Sequence, residues 1–179
     1  MVNLYEDQIL DYFIYNPMKK FGIRELSRIS NKNTKTIMKY LKELIKKKVI
    51  KKVKKNHSYP YYESNRLSNA YKLKKSNLLL NKIAEIELID YLEKELHPKA
   101  IVLFGSVQKG TYTKNSDIDI FIQGKEKKIN LSRFEKNLKH KINLFFKENL
   151  NKLSEGLKHN IINGYTLSGG LQLWILKNV

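Results

Sequence analysis

The chain has 179 residues, 41% apolar and 29% charged, and its 35 Lys and Arg against 17 Asp and Glu give a formal charge of +18. At roughly 100 to 200 residues per domain, that length holds one ordinary domain or two small ones, each with a modest core. Runs such as Ile101 to Phe104 fall far short of the roughly 20 apolar residues a bilayer helix needs, so no membrane partner is expected. With no cysteine, disulfide frameworks, thiolate metal sites and thiol catalysis are excluded. Residues 1–7 contain no basic segment leading into an apolar stretch, and the cytoplasm is the expected location. Such an excess of positive charge attracts polyanions, nucleic acid first among them, although a lysine-rich composition also accompanies growth at high temperature. Residues 1–67 carry 16 basic and 6 acidic side chains, net +10, and residues 68–179 carry 19 and 11, net +8.

In chain order, Leu4 to Phe13 has helical periodicity with Ile9, Leu10 and Phe13 on one face, and Asn16-Pro17 closes it. A second helix is expected over Ile23 to Ile29. Ser30-Asn31-Lys32-Asn33 then breaks the pattern, and Asn33 or Thr34 can cap a third helix reaching about Lys47. Its inward face is Ile37, Leu41, Leu44 and Ile45. Val49 to Val53 and Tyr61 to Glu63, with a turn-like stretch between them, read as a hairpin. Three helices followed by a basic hairpin is the order of a winged helix-turn-helix, in which the third helix enters the major groove of double-stranded DNA. Thr34, Lys35, Thr36, Lys39 and Tyr40 are then the base-edge and phosphate candidates. Lys51, Lys52, Lys54, Lys55, His57 and Tyr59 would meet phosphates from the wing. Small three-helix modules also serve as dimerisation or protein-docking units, and winged-helix proteins commonly read palindromes as homodimers. The domain boundary is expected at 67/68, followed by one long helix through Leu79, Ile83, Ile86, Ile89, Leu92 and Leu96 to His97-Pro98.

The chemistry concentrates in Ala100 to Ile122. An apolar strand running into Gly105-Ser106 ends in a bend where glycine lets the backbone approach a ligand, and Ser106 with the following amides would begin a helix suited to phosphate. Asp117 and Asp119 sit two apart in Asp-Ile-Asp-Ile-Phe-Ile, which puts both carboxylates on one side of a strand and the isoleucines on the other. Two adjacent carboxylates repel, and Mg²⁺, which takes oxygen ligands and keeps substrate phosphates in its shell, resolves that repulsion. Neither Gly-Ser nor Asp-x-Asp is specific alone. Ser106 and Asp117, eleven positions apart and each tied to an apolar strand, form a more specific pattern.

Gly105-Ser106, Lys109-Gly110 and Ser116-Asp117-Ile118-Asp119 resemble the signature of the minimal nucleotidyltransferases, small members of the DNA polymerase beta superfamily. The resemblance covers roughly residues 79–179, and the half before it resembles archaeal proteins that fuse such a module to a DNA-binding domain. It implies an α+β chain: a winged helix-turn-helix at 1–67, then at 68–179 a connecting helix and a small mixed sheet flanked by helices. It further implies that Gly105, Ser106 and Lys109 hold a nucleoside triphosphate, ATP by expectation, and that Asp117 and Asp119 are the catalytic aspartates and ligands of Mg²⁺. A nucleoside monophosphate would pass to an acceptor hydroxyl with release of pyrophosphate. Lys109 stands where many relatives have arginine, keeping the charge without the bidentate fork.

The superfamily usually adds a third carboxylate from a later strand. Here the matching strand, Lys141 to Phe146, has Asn143 at that place, and an amide can lend a carbonyl to a metal but takes no proton. Glu148 and His140 are the nearby groups that could substitute. Alternatives to an enzyme are therefore a transcriptional regulator whose transferase-like domain only binds nucleotide or a partner, or an antitoxin, since such modules often pair with a cognate toxin protein. Leu150, Leu153, Leu157 and Ile161 suggest a further helix, and Gly164 to Leu176, with Trp174, reads as core packing.

Overall fold

The computed structural model describes residues 4–56 and 58–172, with side chains from Gln8 onward. Two compact units form, Met1–Lys75 and Ser76–Val179. His57, Trp174 and the apolar end of the tail from residue 173 lie outside the described residues.

In the first unit, α1 (Leu4–Tyr15), α2 (Ile23–Ser30) and α3 (Thr34–Lys46) precede an antiparallel hairpin of β1 (Ile50–Val53) and β2 (Tyr61–Ser64). Ile9, Leu10 and Phe13 of α1 are buried with Leu26, Ile37, Leu41 and Leu44, whereas Ile45, expected inward, is only half-buried. Phe13 and Phe21 meet edge to face at 4.9 Å, and Phe21 exchanges two backbone hydrogen bonds of 2.9 Å with Tyr62, fastening the hairpin to the helices. Asn31, left-handed at φ 52°, ends α2. Asn33 starts α3 two residues later, its side chain accepting from the Thr36 amide at 2.8 Å.

The long helix expected next is two. α4 (Asn69–Glu85) and α5 (Leu88–Leu96) are separated by Glu87 at φ 58°. No glycine or proline announces that break. It lets Leu88 and Leu92 join Leu79 and Ile83 in one apolar cluster, a gain that outweighs the roughly 1–2 kcal/mol cost of one left-handed residue.

The second unit is built on a four-stranded sheet of order β5-β4-β3-β6, from β3 (Ala100–Phe104), β4 (Ile118–Gln123), β5 (Ile142–Phe146) and β6 (Tyr165–Gly169). β3 pairs antiparallel with β4 and β6, and β4 pairs parallel with β5 through the crossover helix α7 (Ser132–Leu138). The second unit is thus the mixed α+β layer expected of its sequence. Ile118, Ile120 and Ile122 pack with Phe134 and Leu138 of α7 on one face. On the other face Phe121 joins Val102, Phe104, Leu150 and Ile161. The helix expected over Leu150 to Ile161 is instead a 3-10 turn (Leu150–Lys152) and α8 (Glu155–Ile162), with Ser154 capping position between them. β6 went unforeseen.

The Asn33 cap gives the first prediction. Asn33→Ala should lower protection of the α3 amides by about 1 kcal/mol, read by hydrogen exchange, with β3 and β4 protection unchanged.

Candidate active site

β3 ends at Phe104, and Gly105 turns the chain at φ +77°, a region where a side chain is strained. The same bend lies so close to β4 that a Cβ on Gly105 would sit 2.5 Å from Asp119 Oδ2. Phe104 is the antiparallel partner of Asp119, and Asp119 is the parallel partner of Asn143. The bend, the aspartate and the asparagine are therefore neighbours across three strands.

The alternation of β4 sends Asp119 to the Phe121 face, and Asp117, just before the strand, comes to the same group. One atom joins them: Asn143 Nδ2 donates to Asp117 Oδ2 at 3.0 Å and to Asp119 Oδ1 at 3.3 Å. The donor end of the amide dipole lies between two negative groups and relieves part of their repulsion. Burial pushes the Asp119 carboxyl above the ordinary aspartate range, the Asn143 hydrogen bond pulls it back down, and the charge on Asp117 raises it again, for a net increase. The native state thus holds this proton more readily than the unfolded chain does. Its contribution to stability falls as pH rises from the ordinary value through the raised one.

Around the bend, α6 (Gly105–Gln108) is a single turn anchored by buried Val107. The expected phosphate-binding helix terminus therefore reduces to individual donors, the Ser106 hydroxyl and the amides of one turn, which is too short for a macrodipole. Ser106 is half-buried and its carbonyl accepts from the Thr111 amide at 2.9 Å. Lys109 is exposed, with Nζ donating to Asn160 Oδ1 of α8 at a long 3.4 Å.

Neither substitute for the third acid is in place. His140 Nδ1 lies 2.7 Å from the Ser116 carbonyl; a carbonyl only accepts, so this nitrogen donates. The ring sits edge-on to Tyr112 at 5.7 Å. Glu148 follows β5, with its carbonyl accepting from Gln123 Nε2 at 3.3 Å. Among the described residues no group of three or more acidic or histidine side chains could hold a metal. The donor set nonetheless fits one hard cation. Two carboxylate oxygens already converge on one point, and a half-turn of the Asn143 amide would present its carbonyl oxygen there, leaving further positions to phosphate and water. It does not fit a second metal.

One neighbour escaped the sequence reading. Phe145 lies two residues beyond Asn143, on the same face by strand alternation, meets Phe104 edge to face at 5.4 Å and is 39% exposed. The position Asn-x-Phe on one strand was the available signal.

In the first unit, Thr34, Lys35 and Lys39 are exposed on α3, and Thr36 and Tyr40 are half-buried. Lys52, Lys54, Lys55 and Tyr59 are exposed on the hairpin. Lys51 differs: it pairs across the hairpin with Glu63 at 3.0 Å, which spends part of its charge internally.

Residues 86–168 match the family model described as polymerase beta, nucleotidyltransferase, which supports placing this domain in the nucleotidyltransferase superfamily. The comparison with curated proteins and the comparison with solved structures each return no match.

The bridging amide generates the second prediction. Asn143→Asp replaces a shared donor by a third negative charge and should cost the second unit about 1–3 kcal/mol in the absence of divalent ions. Thermal unfolding against Asn143→Ala, which loses the donor without adding charge, checks this: the aspartate variant should melt lower.

Proposed function

We propose that the chain binds double-stranded DNA through its first unit and transfers a nucleoside monophosphate from a nucleoside triphosphate, ATP by preference, to an acceptor hydroxyl through its second. What carries the transferase reading is the convergence of Asp117 and Asp119 on one point beside a bend too tight for any side chain at Gly105.

On this reading Asp117 and Asp119 hold Mg²⁺, with Asn143 turned to offer its carbonyl oxygen. The ion, when bound, neutralises phosphate charge and orients the triphosphate for in-line displacement. Gly105 gives the phosphates close access to the backbone, Ser106 donates its hydroxyl, and Lys109 supplies positive charge to the chain of phosphates. Phe145 offers a face for the nucleobase. The acceptor oxygen bonds to the α-phosphorus, the bond to the β-phosphate oxygen breaks, pyrophosphate leaves, and the hydroxyl proton passes to solvent.

Asn143 itself favours a second reading. An amide at this place takes no proton and offsets no metal charge, as in a regulator or antitoxin that holds nucleotide, or a partner such as a toxin, without turnover. Incubation with Mg²⁺, labelled ATP and candidate acceptors separates the two. Transfer should release pyrophosphate and vanish in Asp117→Ala/Asp119→Ala. Nucleotide binding without release, together with release gained in Asn143→Asp, would establish the binding-only reading.

The DNA reading is supported by the exposed lysines of α3 and the hairpin and by the order of elements that carries them. Titration of the full chain with duplex DNA at several salt concentrations should give a log-log slope of about −0.9 per phosphate neutralised. Lys52→Glu/Lys54→Glu should weaken all sequences alike and flatten the slope by about two phosphates' worth, whereas Lys35→Ala or Lys39→Ala should change the ranking of sequences. An unaltered slope in the hairpin variant would remove the wing from the account.

A further inference from the structure

Beside Asp117, between the turn that precedes β4 and the C-terminal part of α7, opens a cleft of about 490 Å³. Four lysines line it, Lys114, Lys136, Lys139 and Lys141, against two carboxylates, Glu135 and Asp117. We propose that this cleft is the acceptor subsite, and that the acceptor it takes carries phosphate next to the hydroxyl to be modified. The proposal rests on the transferase reading and adds the chemical class of the second substrate.

The cleft carries unspent positive charge on fixed walls. Glu135 is committed, taking Lys141 Nζ at 2.9 Å and the Ile142 amide at 3.1 Å. Lys114, Lys136 and Lys139 form no ion pair among the described residues. Three unpaired ammonium groups around one opening repel a cationic ligand and draw phosphate oxygens. The backbone carrying them is held. Thr113 N donates to Ser116 Oγ at 2.8 Å, closing the turn that bears Lys114, and His140 pins the same turn through the Ser116 carbonyl at 2.7 Å. Lys139 is locked after α7 at φ 58°, its amide on the Glu135 carbonyl at 2.8 Å. Asp117 belongs both to this lining and to the Asn143 cluster. A ligand anchored by phosphate on the lysines therefore reaches the reacting centre by way of Asp117. Such chemistry occurs in a small phosphorylated alcohol and at the end of a nucleic-acid strand.

The test uses the full chain labelled with ¹⁵N, with ribose 5-phosphate, a single-stranded trinucleotide and unphosphorylated ribose as probes. Both phosphate probes should shift the amides of residues 113–117 and 132–141, ribose should not, and K114E/K136E/K139E should weaken the phosphate probes at least about tenfold at low salt. The neutral set K114Q/K136Q/K139Q should give an intermediate loss, a control against misfolding of the charge-reversed protein. A trinucleotide much tighter than ribose 5-phosphate identifies a strand end as the source; equal affinities identify a small phosphorylated alcohol. Shifts elsewhere only, equal shifts with ribose, or undiminished binding in both lysine variants would overturn the proposal. ATP with Mg²⁺ is followed separately at residues 105–109. A response there without one in the cleft sinks the acceptor subsite alone, and cleft shifts without that response sink the nucleotide reading instead.

Discussion

The contact on which the second unit turns is a single amide nitrogen shared by two carboxylates. Asn143 reaches Asp117 and Asp119 together because β4 and β5 are parallel, with Asp119 beside Asn143. A slip of one residue would send either partner to the opposite face. That register is enforced from behind. Ile118, Ile120 and Ile122 are fully buried against α7, and their burial, worth several kcal/mol together, vastly outweighs the electrostatic discomfort of two acids on the other side. The hydrophobic face fixes the geometry, and the polar face has to live with it.

What the polar face can do follows from how incompletely an amide answers two charges. Its two N–H bonds offset part of the repulsion, but no unit of positive charge is supplied. Asp119, half-buried, stays above the ordinary aspartate range even with the hydrogen bond. A fully satisfied ion pair would pull a carboxyl below that range, as Lys141 does for Glu135 at the edge of the same sheet. The cluster is thus left short of positive charge, and two lysines of this domain are committed elsewhere. Lys109 is drawn to Asn160, and Lys141 to Glu135.

The parts legible in the sequence were those with a local period or a local steric demand. The two-residue alternation of Asp117-Ile118-Asp119-Ile120 placed acids and isoleucines on opposite faces, while Asn143 was placed beside them only by the resemblance, which expects a third carboxylate on a later strand. Gly105 was readable because only glycine tolerates that bend. The illegible parts depended on partners distant in the chain. The kink at Glu87 has no glycine or proline, since packing of Leu88 and Leu92 drives it. β6 has only partial burial along Tyr165–Gly169 and is a strand because the edge of β3 was open to it. The Lys51–Glu63 pair needed the hairpin register, and the lysines of the cleft come from a turn and a helix that only the fold brings to one opening.

Replacing an acid by an amide at the third position separates two capacities that a carboxylate would join. Holding a metal-bound triphosphate needs oxygens near a point, and these can come from Asp117, Asp119, the Asn143 carbonyl and the phosphates themselves. Activating a hydroxyl needs a group that accepts a proton, or a second metal that lowers the hydroxyl's affinity for its own. An amide supplies neither. On the proposed transferase reading, the donor side of the site then has the oxygens it needs, while the acceptor side must rely on how the acceptor is brought in. An acceptor whose own phosphates anchor it beside Asp117 gains effective concentration at the reacting centre, which is the contribution that remains open to a site without a third acid.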